Sequence, residues 1–162
     1  MAMPNPSSIV RKQTETVSAQ FDSEKLKAFA QIEKAADAQI REIESNADSS
    51  LGQIDGKLAE LEGAKAQIDI NHPQYNEIVK QIGMLREQKK QLRAQVKMAV
   101  AAVKTNAARE KENIRTRLEK QKQDAIGQTV NAVLKQYSLM MAQKKAEQEG
   151  AMNDELKAGN RG

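Results

Sequence analysis

Cysteine and tryptophan are absent from these 162 residues, and there are two Phe, two Tyr and one His. Without Cys there are no disulfides, thiolate nucleophiles or Cys-based metal sites. A single His leaves ordinary zinc arrangements unavailable within one chain, and the Glu-x-x-His pairs of di-iron bundles do not occur. Aromatics at 2% cannot fill a thick core, and they supply no platform for stacking bases. No run of 18 apolar residues exists to span a bilayer. The opening "MAMPNPSSIVRKQ" lacks the charged-then-apolar order of a signal peptide, so the expected location is the cytoplasm or an assembled particle, without secretion by a signal peptide.

Proline is equally scarce. The three prolines stand at positions 4, 6 and 73, so nothing interrupts a helix from Ser8 to Asp69 or beyond Pro73. What remains is rich in Ala, Gln, Lys and Glu with 30% charged residues, the profile of long helices and coiled coils. "PSS" offers a Ser cap for a first helix over residues 8–69, after an extended arm at 1–7. Its apolar stripe runs Phe29, Ile32, Ala36, Ile40, Ile43, Ala47, Leu51, Ile54, Leu58 and Leu61, in steps of 3 and 4 that mix 11-residue and 7-residue units. The segment "IDINHPQYNEI" then supplies a turn at 70–73, with Asn71 or His72 as cap and Pro73 in the first turn of a second helix over 74–149. A polar tail at 150–162 closes the chain. The competing reading is a kink within "SNADSSLGQIDG", residues 45–56, where Gly52 and Gly56 each cost about 1 kcal/mol relative to Ala.

The second stripe includes Ile82, Leu85, Leu92, Val96, Val103, Ala107, Ile114, Leu118 and Val133. In an antiparallel pair, facing residues have numbers with a constant total. Leu61 with Ile82, Leu51 with Leu92, Ala36 with Ala107 and Val10 with Val133 all total 143. The expected fold is therefore all-α, a long antiparallel two-helix coiled-coil hairpin with mixed 7/11-residue periodicity. Beyond about residue 137 the second helix outruns the first and forms a C-terminal overhang.

The net charge of +4 is unevenly spread. Residues 74–149 hold 16 Lys and Arg against 8 Asp and Glu, while residues 8–70 hold 8 against 12. A basic row on the second helix (Arg86, Arg93, Lys97, Lys104, Lys111, Lys122) faces an acidic row on the first. The expected pairs are Asp55–Arg86, Asp48–Arg93, Glu44–Lys97, Asp37–Lys104, Glu33–Lys111 and Asp22–Lys122. Lys80, Lys89, Arg109, Arg117 and Lys120 are left unpaired, enough for weak, salt-sensitive, non-specific attraction to nucleic acid without sequence readout.

No catalytic constellation emerges, and no cofactor is expected. Glu42 and Glu44, Glu60 and Glu62, and Glu110 and Glu112 are two apart and diverge on a helix. "GK" at Gly56 and Lys57 continues as Leu and lacks the earlier Gly of a phosphate loop. His72 reads as a turn residue. Two segments suit interaction: "KMAVAAVKTNAA", residues 97–108, whose Ala content would let helices approach closely and which also reads as the tight middle of the hairpin, and "AIGQTVNAVLKQYSLMMAQ", residues 125–143, with Ile126, Val130, Val133, Tyr137, Leu139, Met140 and Met141 as contact candidates between lysine flanks. Such a stretch suits a second copy or another structural protein, and its basic flanks also allow a membrane interface.

In its Ala, Gln and Met-rich helices and its polar, Gly-ended tail, as in "VNAVLKQYSLMMAQKKAEQEGAMNDELKAG", the chain resembles the small internal or ejection proteins of short-tailed bacteriophage virions. The resemblance implies packaging within a particle, association with portal or other ejection proteins, and passage into the cell envelope during infection. It carries over no residue-level role. The other readings are a cellular coiled-coil adaptor that binds partner helices and a basic helical protein associated with nucleic acid.

Overall fold

The computed structural model describes residues 5–159, with side chains through Met152. Two helices account for nearly all of it: α1 spans Pro6–Gln67 and α2 spans Tyr75–Gly159. They pack against each other as a helical hairpin, and no strand occurs among the described residues.

The start of α1 differs from the expected Ser cap. Asn5 is the cap: its Oδ1 accepts the Ser7 N–H at 3.0 Å and its carbonyl accepts the N–H groups of Ser8 and Ile9. Pro6 then occupies the first helical position, where its fixed φ helps and its missing N–H costs nothing. The expected arm at 1–7 lies outside the described residues as far as Pro4.

α1 stops at Gln67, two residues before the expected end. The Asp69 carboxylate accepts the Ile70 N–H at 2.8 Å and the Asp69 carbonyl accepts the His72 N–H at 2.9 Å. This local bonding competes with continued helix. The turn contains no cis peptide and no residue with positive φ among the described residues.

Through residues 45–56, α1 is uninterrupted, so the kink does not form. A Cβ placed on Gly52 or Gly56 would meet nothing within 4 Å, so no close approach demands these glycines. α2 likewise continues through Gly150 to Gly159, into the segment expected as a polar tail. Ala151, Met152, Leu156 and Lys157 are good helix formers, and their propensity outweighs one glycine. Residues 160–162 lie outside the described set.

The helices divide into two compact units. One combines the N-terminal stretch through Lys27 with the stretch from Ile114 onward, and the other is Ala28–Asn113. Within Ala28–Asn113, the half-buried and buried side chains are largely the expected stripe, with Ala47 and Ile82 buried deepest. In the other unit Leu118 and Val133 hold that position. No described side chain is fully enclosed. Helices this long are stabilised mainly by packing along one stripe, and here that stripe is only partly covered.

Candidate interaction surface

The cross-helix contacts fix which residues face each other. In the Ala28–Asn113 unit, Arg86 Nη2 lies 2.6 Å from Glu62 Oε1, Lys89 Nζ lies 2.6 Å from Asp55 Oδ1, and Lys111 Nζ pairs with Glu33 Oε1. Partner numbers rise on α2 as they fall on α1, the order of a hairpin. In the other unit Lys122 Nζ lies 3.7 Å from Asp22 Oδ1.

The pairs Glu33–Lys111 and Asp22–Lys122 form as expected, and the rest of the ladder does not. Arg86 takes Glu62 rather than Asp55. Lys89, expected to be unpaired, takes Asp55. The pairs Asp48–Arg93, Glu44–Lys97 and Asp37–Lys104 do not close among the described residues. These side chains stand farther out than the seam, where screening makes each pair worth only ~0.2–1 kcal/mol against the entropy of holding it.

The sequence pattern concealed the position of three lysines. The apolar stripe has gaps of seven between Leu85 and Leu92, Ala107 and Ile114, and Leu118 and Ala125, and Lys89, Lys111 and Lys122 fill them. Their side chains are 25%, 28% and 18% exposed. Each lays its methylene stem in the seam and sends its ammonium across to a carboxylate on α1. The three pairs Lys89–Asp55, Lys111–Glu33 and Lys122–Asp22 share the position total 144. Lys111 also lies 5.8 Å from the centre of the Phe29 ring. The missed signal was the gap itself: a lysine midway between two seam positions seven apart.

His72 has structural work. Its Nδ1 accepts the Gln74 N–H at 3.1 Å, and its carbonyl accepts the Tyr75 N–H at 3.0 Å. This arrangement caps the start of α2 with Pro73 and Gln74 between cap and helix, so Pro73 precedes the first turn in which it was expected. Asn71 is exposed in the same turn and makes no capping contact. No group of three His, Cys, Asp or Glu residues suited to a metal ion occurs among the described residues. Among the described residues no helix is long and apolar enough to cross a membrane.

The contact candidates at 125–143 split in two. Val133 is buried and Ile126, Val130 and Tyr137 are half-buried, so these four are engaged within the hairpin and are not a free surface. Leu139, Met140 and Met141 are 59%, 49% and 44% exposed, and every described side chain from Ser138 to Met152 is exposed. An open groove beside Met141 is bordered by Ala142, Lys144, Lys145 and Gln148. The chain can therefore offer a short apolar patch followed by charged helix.

No family model, curated protein or solved structure matches this chain.

Proposed function

We propose that the protein is a non-enzymatic structural component, an antiparallel coiled-coil hairpin of mixed 7/11-residue period whose C-terminal overhang joins it to a larger assembly. The observation that carries this reading is the exposed end of α2. The 144 register places Pro6 of α1 opposite Ser138, and α2 continues to Gly159. That leaves 21 residues (139 to 159), about 30 Å of helix, with no α1 alongside. Its first turn exposes Leu139, Met140 and Met141, an apolar patch at the start of an unaccompanied helix. The seam points the same way: its side chains are mostly half-buried and none is fully enclosed among those described, so the hairpin gains stability by being covered.

The assembly we favour is a repeated one made of copies of this chain with other structural proteins, such as the interior or head-tail region of a short-tailed bacteriophage virion. The resemblance in composition supports that setting. The partners are helical surfaces, and any attraction to nucleic acid is weak and non-specific, carried by cations such as Lys80 and Arg117.

Light-scattering mass combined with small-angle X-ray scattering at physiological salt tests the reading. A discrete multimer is expected, and Leu139→Glu/Met140→Glu/Met141→Glu should lower its mass with the helical content retained. A compact single-copy protein, or a triple variant with unchanged assembly, would sink it.

A further inference from the structure

The Ala28–Asn113 hairpin has two unlike faces. On one side of the α2 seam stand Arg86, Lys90, Arg93, Lys97 and Lys104, and on the same side of α1 stand Asp48, Asp55 and Glu62. On the other side of the α2 seam the exposed row is Met84, Gln88, Gln91, Gln95, Met98 and Ala102, in steps of 4, 3, 4, 3 and 4. This row carries no charge in a chain with 30% charged residues. Its two methionines are among the most exposed apolar side chains, Met84 at 58% and Met98 at 74%. α1 borders it with Lys57 and Glu60, whose charges are opposite in sign, and together with Leu61, Leu85 and Met84 they edge an open groove of about 360 Å³.

We propose that this uncharged face is where a second copy of the chain docks, antiparallel and about a two-fold axis at Gln91. The proposal deepens the assembly reading by naming the partner and the face. Three features select a second copy as the occupant.

First, the row is complementary to itself. Met84 and Met98 lie seven residues on either side of Gln91, so reversing the row onto itself sets each Met84 against Met98 of the second copy. It also brings Gln88 beside Gln95, and an isologous contact requires this reciprocity. Second, the groove at Met84 is open where Met98 of the second copy arrives, and an unbranched thioether adapts to an irregular gap.

Third, the charges permit α2 to pair with α2 through this face. Two copies of the uncharged face bring together no like-charged row, whereas stacking the opposite flank of α2 on its own copy would set cations against cations. The area is adequate too. Helix from Gln81 to Ala101, symmetric about Gln91, is about 30 Å long, and two helices are about 20 Å wide, giving roughly 600 Å² per copy, the lower end of the ~600–1,000 Å² per partner of a standard interface.

The test uses the full chain, which has no native cysteine. Gln91→Cys should form a disulfide-linked pair under mild oxidation, because position 91 faces itself across the axis, while Arg93→Cys on the charged flank should not. In sedimentation equilibrium, Met84→Lys/Met98→Lys should halve the mass by setting lysine against lysine. Met84→Glu/Met98→Lys, which sets glutamate against lysine, should restore it, with circular dichroism unchanged throughout because both sites are exposed. If the mass survives the double-lysine change and Gln91→Cys fails to link, copies or other helices dock elsewhere. This proposal then falls, while the assembly reading is still decided by the Leu139–Met141 variants. A chain that stays single at every concentration also overturns it, again leaving binding to a different protein to that separate experiment.

Discussion

At the scale of single residues, the hairpin is held by small local arrangements. Thr14 lies in the seam between Val10 and Val17, and its Oγ1 is buried without a hydrogen-bond partner. Leaving a hydroxyl unsatisfied costs about 1–3 kcal/mol, so Thr14→Val, which keeps the shape, should stabilise the chain by about 1 kcal/mol. Urea unfolding followed by circular dichroism would read this as a raised midpoint; a lower midpoint would show that the hydroxyl is satisfied in solution. The caps run in the opposite direction. Asn5→Ala and His72→Ala each remove an acceptor from a helix start and should cost about 0.5–2 kcal/mol, whereas His72→Asn should cost little because Asn caps equally well. Equal losses for both His72 variants would mean that the imidazole contributes something besides the cap. The role of His72 was legible in the sequence, since a lone polar residue just before proline is a helix-start signal. The Asn5 cap was equally written there, in the Asn5-Pro6 step, but two serines immediately afterwards competed for the assignment.

At the scale of the elements, the two stripes were legible because 3- and 4-residue spacing leaves little else for so many Ile and Leu side chains to do. The lysines in the seam were not. A two-letter apolar/polar pattern scores lysine as surface, yet its four-carbon stem packs as a short aliphatic chain and only its end needs water or a carboxylate. The ladder of outer charges was over-read for the related reason that matched numbering says nothing about reach. The glycines at 52 and 56 offered a kink as the competing reading on propensity alone, and propensity is overridden here by the seam running through Ala47, Leu51 and Ile54. Gly52→Ala and Gly56→Ala should each add about 0.5–1 kcal/mol, since the new methyl meets open space. A drop in the thermal midpoint for either would mean that something contacts this face in solution. Lys89→Ala should lower stability by more than Lys90→Ala, because only Lys89 fills the seam and reaches a partner; matching thermal midpoints would place Lys89 outside it.

At the scale of the whole chain, the position of contacts along the sequence governs how it folds. The pair Arg86–Glu62 is separated by 24 residues and Lys111–Glu33 by 78, while Lys122 and Asp22 are 100 apart (122 minus 22). Closing a loop costs about 0.6 kcal/mol more for each doubling of its length, so contacts nearest the turn close first and shorten the loop for the next. Folding should therefore zip outward from Asn71 and His72. Substitutions near the turn, such as His72→Ala, should slow folding, and Val133→Ala should mainly speed unfolding, a split that stopped-flow kinetics resolves. During synthesis the order is stricter. α1 leaves the ribosome complete with its apolar stripe uncovered, and the residues that cover its N-terminal end are the last of the seam to be made. For the time it takes to translate most of α2, that stripe is open to any helix of suitable pattern, so polysomes bearing several nascent copies are where wrong pairings between chains would arise.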